Sequence, residues 1–357
     1  MRFLLSRKFG DVPVDRSQWN SLAADSASAT VFQTYEWFEA WWGAFAHHRQ
    51  LFLITAWDGN DLVGIAPLMV ERHRGIRYLE FVGSPNADYQ DLILGPRPEA
   101  VLSGLADFLS VHRNAWDMLA FRNLPTDSVT YRLLPGLLHN AGIRTTDDER
   151  IACPTLEIAS RPDETRRRLN GYGFRRRINR LRQLGEIKYI RCSTQEELEH
   201  YLPIFFDQYI ERRAGSHSEE FFRRPEVRRF YASLARSMLP CGWLHFSILE
   251  CDGRPVAFHF GFEFKKRLYW YKPSYDPALA RLSPGKVLLS QLIRDAMERE
   301  LDELDFTVGA EPFKYRYTRT ERTNVTLRAF ARSWMHLAFR RVAAVRRVAA
   351  RWRRRRR

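Results

Sequence analysis

The stretch that most constrains this chain runs from Gly253 to Tyr317. Residues 256–262 and 267–271 are rich in aromatic and β-branched side chains, which pack well on a pleated surface, and Lys265-Lys266 between them predicts a hairpin turn. Ser283-Pro284-Gly285-Lys286 then stands directly before residues 287–293, whose apolar positions recur at helical spacing. A small-residue loop feeding a helix N-terminus holds phosphate in many folds, because free backbone N–H groups and the positive end of the helix dipole both face it. The stretch closes on Asp305-Phe306-Thr307-Val308-Gly309-Ala310-Glu311-Pro312-Phe313-Lys314, read as a strand. The order is strand, strand, loop, helix, strand, which makes an α/β unit.

Residues 57–67 look like residues 251–260: in each an Asp-Gly turn joins two apolar runs, a strong short-range hairpin signal. Asp58 and Asp252 lie 194 residues apart, so the repeated unit is a whole domain and not a solenoid turn. A strand pair follows each hairpin and a helical segment precedes each. The length of 357 residues agrees, since one core rarely serves so long a chain at about 150 residues per domain. The expected division is 1–155, 156–325 and a tail over 326–357.

Positions 305–314 fit the pattern Asp-Phe-x-x-Gly-x-Glu-x-(Tyr/Phe)-Lys. With the loop before them they give the chain, up to about Arg319, a resemblance to GNAT-type acyltransferases, in the branch shared by CelD/BcsL-like and Fem-type proteins. An Arg-rich helix, Gly185, a strand over 186–191 and the capping box Thr194-Gln195-Glu196-Glu197 extend the likeness to the start of a second domain. The resemblance implies an α/β fold of two tandem GNAT-like domains, each a mixed, mostly antiparallel sheet flanked by helices, with a basic C-terminal helix added. It implies that Leu268, Tyr269, Trp270 and Tyr271 supply the strand along which the pantetheine of acetyl-CoA or another acyl-CoA lies. Ser283, Gly285 and Lys286 would surround the phosphates. The longer Gln/Arg-x-x-Gly-x-Gly/Ala signature is absent, which keeps an aminoacyl-tRNA donor open.

The acceptor nucleophile must lose a proton and the developing oxyanion must be stabilised. The polar candidates are Glu311 as base, Lys314 at the oxyanion or a substrate carboxylate, and His259 and Asp305 near the strand ends. Asp88 and Tyr89, with Tyr275, are candidates for acceptor contact. Each has a plainer reading, as an ion pair, a turn residue or a satisfied core side chain. No comparable loop precedes the helix near 100–109, so the first domain is expected to have lost donor binding. The acceptor implied is an amine or hydroxyl of a sugar, polysaccharide or cell-envelope precursor. The alternatives are Fem-type transfer from tRNA and a non-catalytic, membrane-associated component of polysaccharide assembly.

The hydrophobic content of 45% provides for packed cores. The apolar start, Phe3-Leu4-Leu5, is too short for a signal peptide, and no apolar run reaches the roughly 18 residues of a membrane span. Cys153, Cys192, Cys241 and Cys251 have no metal-ligand spacing, so no metal is expected and a reducing cytoplasm is. Charge is uneven: twelve arginines and no acid fall in 328–357, which leaves +3 of the net +15 for the rest. Trp334, Ala338, Val342, Val345, Ala349 and Trp352 follow at a mean step of 3.6, an amphipathic stripe matched to the inner face of an anionic membrane. The other readings are a helix packed on the globule with a frayed Arg end and a tail attracted to any polyanion. Eight further arginines, 166–168, 175–177, 180 and 182, either attract phosphates or form a solvated helix face.

Overall fold

The computed structural model describes residues 1–169, 172–215, 220–339 and 341. The first elements in chain order are β1 (Arg2–Ser6), α1 (Arg16–Asp25), α2 (Tyr35–Phe45), β2 (Arg49–Asp58), β3 (Asp61–His73), β4 (Ile76–Phe81), β5 (Ile93–Leu94), α3 (Pro98–Val111), β6 (Met118–Pro125), α4 (Val129–Asn140) and β7 (Arg144–Glu157). There follow α5 (Pro162–Leu169), α6 (Tyr172–Arg182), β8 (Ile187–Arg191), α7 (Gln195–Arg212), α8 (Pro225–Met238), β9 (Leu244–Cys251), β10 (Arg254–Phe264), β11 (Arg267–Tyr275), α9 (Pro284–Glu298), β12 (Glu303–Asp305) and β13 (Glu321–Phe330).

They form two compact units that interleave in sequence. Unit 1 takes Met1–Gln33, Ala46–Arg150 and Thr323 onward; unit 2 takes Thr34–Phe45 and Ile151–Arg322. In unit 1 the strands run β1-β2-β3-β4-β6-β13, with β5 beside β3. In unit 2 they run β8-β9-β10-β11-β12-β7. Each sheet has one parallel step, β4 with β6 and β11 with β12; the other recorded neighbours are antiparallel. Each parallel step is bridged by a helix, α3 or α9, as a parallel crossover requires. The sixth strand is exchanged along the chain: the part of β7 from Ile151 on, which follows α4, completes the sheet of unit 2, while residues 144–150 of β7 stay in unit 1, and β13, which follows β12, completes the sheet of unit 1.

The repeat extends to the turns. Gly59 in the β2–β3 hairpin and both Asp252 and Gly253 in the β9–β10 hairpin have positive φ, the backbone that tight antiparallel turns require. The first turn falls on Gly59-Asn60, one residue later than the Asp-Gly alignment expects, because Asp58 pairs directly with Asp61. Arg74-Gly75 and Lys265-Lys266 close the next hairpin of each unit, all four at positive φ. Both crossover helices begin alike: Arg97 and Ser283 are left-handed N-caps, at φ 62° and 58°, and each is followed by proline at the first helical position.

Unit 2 has two layers of core around its sheet. On one face α9 packs Leu288, Leu292 and Ile293 against Leu249, Ala257 and Leu268, with Leu169 of α5 and Leu181 of α6 alongside. The other face carries an aromatic layer from α2, α7 and α8. There Trp37 lies 5.3 Å from Phe230 and 5.8 Å from Phe262, and Phe205 stacks on Phe260 at 5.8 Å. The capping box is formed, Thr194 accepting from Glu197 N–H, and α7 follows it. Gly185 ends α6 at φ 152°, with the carboxylate of Asp252 where a side chain would stand.

Two expectations about secondary structure need correction. The motif at 305–314 is not a strand: β12 stops at Asp305, and Thr307 and Gly309 at positive φ, followed by Pro312, turn the chain into a loop that ends in a short 3-10 turn at Lys314–Arg316. Residues 326–330 are strand, not tail helix. They belong to β13, whose Val325, Leu327 and Ala329 are buried in the core of unit 1. A helix covers 333–339, and the remainder of the predicted stripe, with the arginines beyond 341, lies outside the described residues.

Candidate functional site

In unit 2 the β11–β12 ladder pairs Arg267 with Glu303, Leu268 with Leu304 and Tyr269 with Asp305, and then β12 ends. β11 continues alone on that side. At the same level its pairing with β10 steps from Phe262–Tyr269 to Phe260–Lys272, so β11 carries one extra residue around Trp270-Tyr271. This is a β-bulge, which re-aims backbone groups locally. The Thr307 hydroxyl donates to the Trp270 carbonyl at 3.4 Å, and the Thr307 N–H donates to Asp305 Oδ1 at 2.7 Å. Arg322 clamps the other edge, giving two hydrogen bonds to Glu303 at 2.8 and 2.7 Å and one to Asp305 at 3.4 Å. Asp305 is thus buried and occupied in closing the strand end.

From β11 the chain passes Tyr275 and reaches the N-terminus of α9. The Ser283 carbonyl accepts from both Lys286 N–H and Val287 N–H, Pro284 has no N–H, and Gly285 N–H has no acceptor among the described residues. A side chain at 285 would meet Tyr275 Cδ1 at 3.3 Å. Tyr275 in turn lies under the Arg212 guanidinium at 4.3 Å. Next to this helix end is a cavity of about 220 Å³ lined by Arg168, Leu169, Phe174, Arg177, Lys286, Ser290, Phe313, Arg316 and Tyr317. Among the described residues its lining has four cations and no carboxylate. Arg168 is engaged with Glu164 and the Arg316 carbonyl. The side chains of Arg177, Arg316 and Lys286 have no ion-pair partner among the described residues. Their mutual repulsion is felt: burial first, and then Arg177 and Arg316, push the Lys286 ammonium below its ordinary range. Three cations without an ion-pair partner among the described residues stand around a helix N-terminus, an arrangement suited to an anion.

The loop after β12 holds the remaining candidates. Lys314 is buried, and its ammonium reaches the carbonyls of Val308 at 2.9 Å, Gly309 at 3.0 Å and Thr307 at 3.4 Å. It also pairs with Glu311 at 2.8 Å, where the Glu311 side chain is 55% exposed and that of Lys314 is 4%. Lys314 therefore ties the loop together, while Glu311 presents its carboxylate to solvent. His259 is fully buried on β10, and its ring stacks on Trp270 at 4.6 Å. Leu268 and Tyr269 are buried beneath the site, and the Tyr271 hydroxyl meets that of Tyr231 at 2.9 Å. Asp88 and Tyr89 belong to unit 1; both are buried, and their carbonyls accept from Asn324 and Gln33.

Ser283, Gly285, Lys286 and Tyr275 thus come together, with the bulged strand leading to them. Sequence reading missed Arg316, Ser290, Phe174 and Tyr317, and did not separate Arg177 from its seven arginine neighbours. Helical phase was the available signal: Ser290 stands one turn after Lys286.

Unit 1 shows the same scaffold emptied of these features. Glu99 and Ala100 occupy the places of Gly285 and Lys286 after the left-handed cap and proline. Beyond the β4–β6 ladder Phe81 and Phe121 touch, with ring centroids 4.2 Å apart. The described residues contain no cluster fit to hold a metal.

Residues 166–315 match the family model described as an acetyltransferase (GNAT) domain. Unit 2 carries an acyltransferase domain. No curated protein matches the chain. Among solved structures, FemX is similar at a TM-score of 0.62 and 9% identity, covering 92% of this chain and 97% of that one. L-PGS from Bacillus licheniformis gives 0.55 and 10%, covering 94% and 97%. A conserved protein from Bacteroides thetaiotaomicron gives 0.58 and 14%, covering 92% and 100%. At these identities the likeness is one of fold.

Proposed function

We propose that the acyltransferase domain takes acetyl-CoA or another acyl-CoA as donor and acylates an amine or hydroxyl of a sugar, polysaccharide or cell-envelope precursor, in the manner of CelD/BcsL-like proteins. The observation that carries this reading is the trio of unpaired cations, Lys286, Arg177 and Arg316, at the N-terminus of α9 beside the bulged, one-sided strand β11. The diphosphate of the donor sits among the cations, at Gly285 N–H. Its pantetheine runs along Trp270 and Tyr271, which brings the thioester towards the end of β12. Glu311, the exposed carboxylate of the loop, is the general base; Lys314 and Asp305 hold the loop that carries it. Tyr275 flanks the phosphates. The duplicated modules are 1–155 and 156–325 with their last strands exchanged, and the first has ceased to bind donor.

A Fem-type aminoacyl-tRNA donor is the second reading, favoured by the same arginines, which suit a nucleic-acid backbone equally. Among the described residues no helix is long and apolar enough to cross a membrane. The exposed Trp334 and Leu337 of the 333–339 helix, with the arginines that follow in sequence, support attachment to an anionic membrane surface. Thermal-shift titration with acetyl-CoA and with aminoacylated tRNA tests the donor: stabilisation by acetyl-CoA alone supports the first reading, and stabilisation by the tRNA alone replaces it with the second.

A further inference from the structure

His259, one of the polar candidates in the sequence, is buried against the bulge of β11 and takes no part in the proposed function. His259 Nε2 stands 3.2 Å from the Tyr269 carbonyl oxygen and 3.4 Å from the Tyr271 N–H, so a single ring nitrogen faces the peptide groups on both sides of Trp270. The ring lies flat on Trp270, with an interplanar angle of 7°. Its other nitrogen, Nδ1, has no hydrogen-bond partner among the described residues. A buried, unsatisfied ring nitrogen is a cost that a plain core residue would not impose.

The neighbouring sequence is fitted to the ring. A Cβ at Gly261 would overlap both the His259 imidazole and the Tyr269 carbonyl, so glycine is required two residues along β10 for the ring to occupy this place. Behind it, Asp295 Oδ2 on α9 meets His245 Nε2 at 3.3 Å, and the Ser247 hydroxyl meets His245 Nδ1 at 3.1 Å. The His245 ring lies 5.8 Å from that of His259. Burial, with His245 adding to it, drives the His259 pKa well down, so the ring is neutral and its Nε2 can serve either the carbonyl or the N–H.

We propose that His259 is a positioning residue for acyl transfer: it fixes the peptide groups flanking Trp270 so that the bulge of β11 presents them to the acyl end of the donor. The proposal rests on the reading of β11 as the donor strand. It assigns His259 no contact with substrate.

Two variants separate this from simple packing. His259→Phe keeps a flat ring for Trp270 and removes the nitrogen. His259→Gln replaces the ring nitrogen with an amide that donates to one peptide group and accepts from the other. Exchange at the Tyr271 amide, read by hydrogen–deuterium mass spectrometry on the free full-length protein, should quicken at least tenfold in His259→Phe and stay within threefold of wild type in His259→Gln. Acetyl-CoA affinity should fall at least tenfold in the first variant and recover in the second. In the wild type the His259 Nε2 nitrogen-15 resonance should move on adding acetyl-CoA, a readout that needs no variant to fold. A folded His259→Phe protein with unchanged exchange and affinity, or a resonance indifferent to acetyl-CoA, would overturn the positioning role while leaving the donor reading intact. Wild type that binds no acyl-CoA at all overturns the donor reading and this proposal with it.

Discussion

Replacing Gly285 with aspartate should separate donor binding from folding more cleanly than any other change. Position 285 lies in the first turn of α9, where glycine is a poor helix former and a negative charge is favourable, by about 0.3–1 kcal/mol. The added Cβ meets only Tyr275 Cδ1 at 3.3 Å, which a shift of a few tenths of an ångström relieves. Gly285→Asp should therefore melt within a few degrees of wild type, or above it. The same carboxylate would face the donor's diphosphate. At about 5 Å and an effective dielectric of about 20, each unit of phosphate charge is repelled by about 3 kcal/mol before screening. Even when salt halves this, acetyl-CoA affinity should fall at least ~10-fold, since each 1.4 kcal/mol is a factor of ten. Calorimetric titration of the full chain, with a melting curve on the same sample, reads both quantities, and Gly285→Ala controls for bulk. A folded Gly285→Asp protein that binds acetyl-CoA as tightly as wild type would refute the placement of the phosphates.

Other perturbations read different parts of the account. Lys314→Met should remove the donor from three loop carbonyls and destabilise unit 2 by about 2 kcal/mol or more, seen as a lower Tm. Glu311→Gln should melt like wild type and lower turnover; loss of stability without loss of turnover would make Glu311 a scaffold residue. Arg177→Ala and Arg316→Ala should each weaken acetyl-CoA binding and flatten its salt dependence without lowering Tm, because each removes an unpaired cation from a repulsive cluster. Asp91 is buried in unit 1 and its pKa is pushed up to about 6 by burial, against an ordinary 3.8. The folded state then holds the proton more tightly, so this contribution to stability is complete below pH 3.8 and lost as pH rises through about 6. Asp91→Asn should remove that loss, worth up to about 3 kcal/mol at pH 7, and the difference from wild type across pH 4–7 measures it. Cutting the chain after Ala331 should keep β13 and abolish binding to anionic vesicles, which in the full chain should blue-shift Trp334 fluorescence and vanish at high salt.

Much of the scaffold could be read from local chemistry. Lys265-Lys266, the Thr194 capping box and Gly185 mark boundaries that the backbone observes, because turns and caps are decided within a few residues. The loop at Ser283–Lys286 was legible for the same reason. What could not be read depends on distant partners. The Asp305–Lys314 motif looks extended in isolation, yet positive φ at Thr307 and Gly309 and the buried Lys314 ammonium fold it into a loop. Residues 326–330 carry one arginine among apolar and small side chains, and only pairing with β6 shows them to be a strand. Arg177 and Arg316 stand far apart in sequence; what brings them together is the convergence of α6, α9 and the 314–316 turn on one cavity. The crossed destinations of β7 and β13 left no mark in the sequence, since each strand reads the same whichever sheet it completes.

The most direct test of the central claim is the stoichiometry of acetyl-CoA binding to the full-length protein, measured by calorimetry. The two units share strand order, turns and the left-handed cap with proline, but only unit 2 has glycine and lysine after that proline, where unit 1 has Glu99 and Ala100. The account predicts one acetyl-CoA per chain, with that one site eliminated by Gly285→Asp. Two equivalents bound, or none, would contradict it.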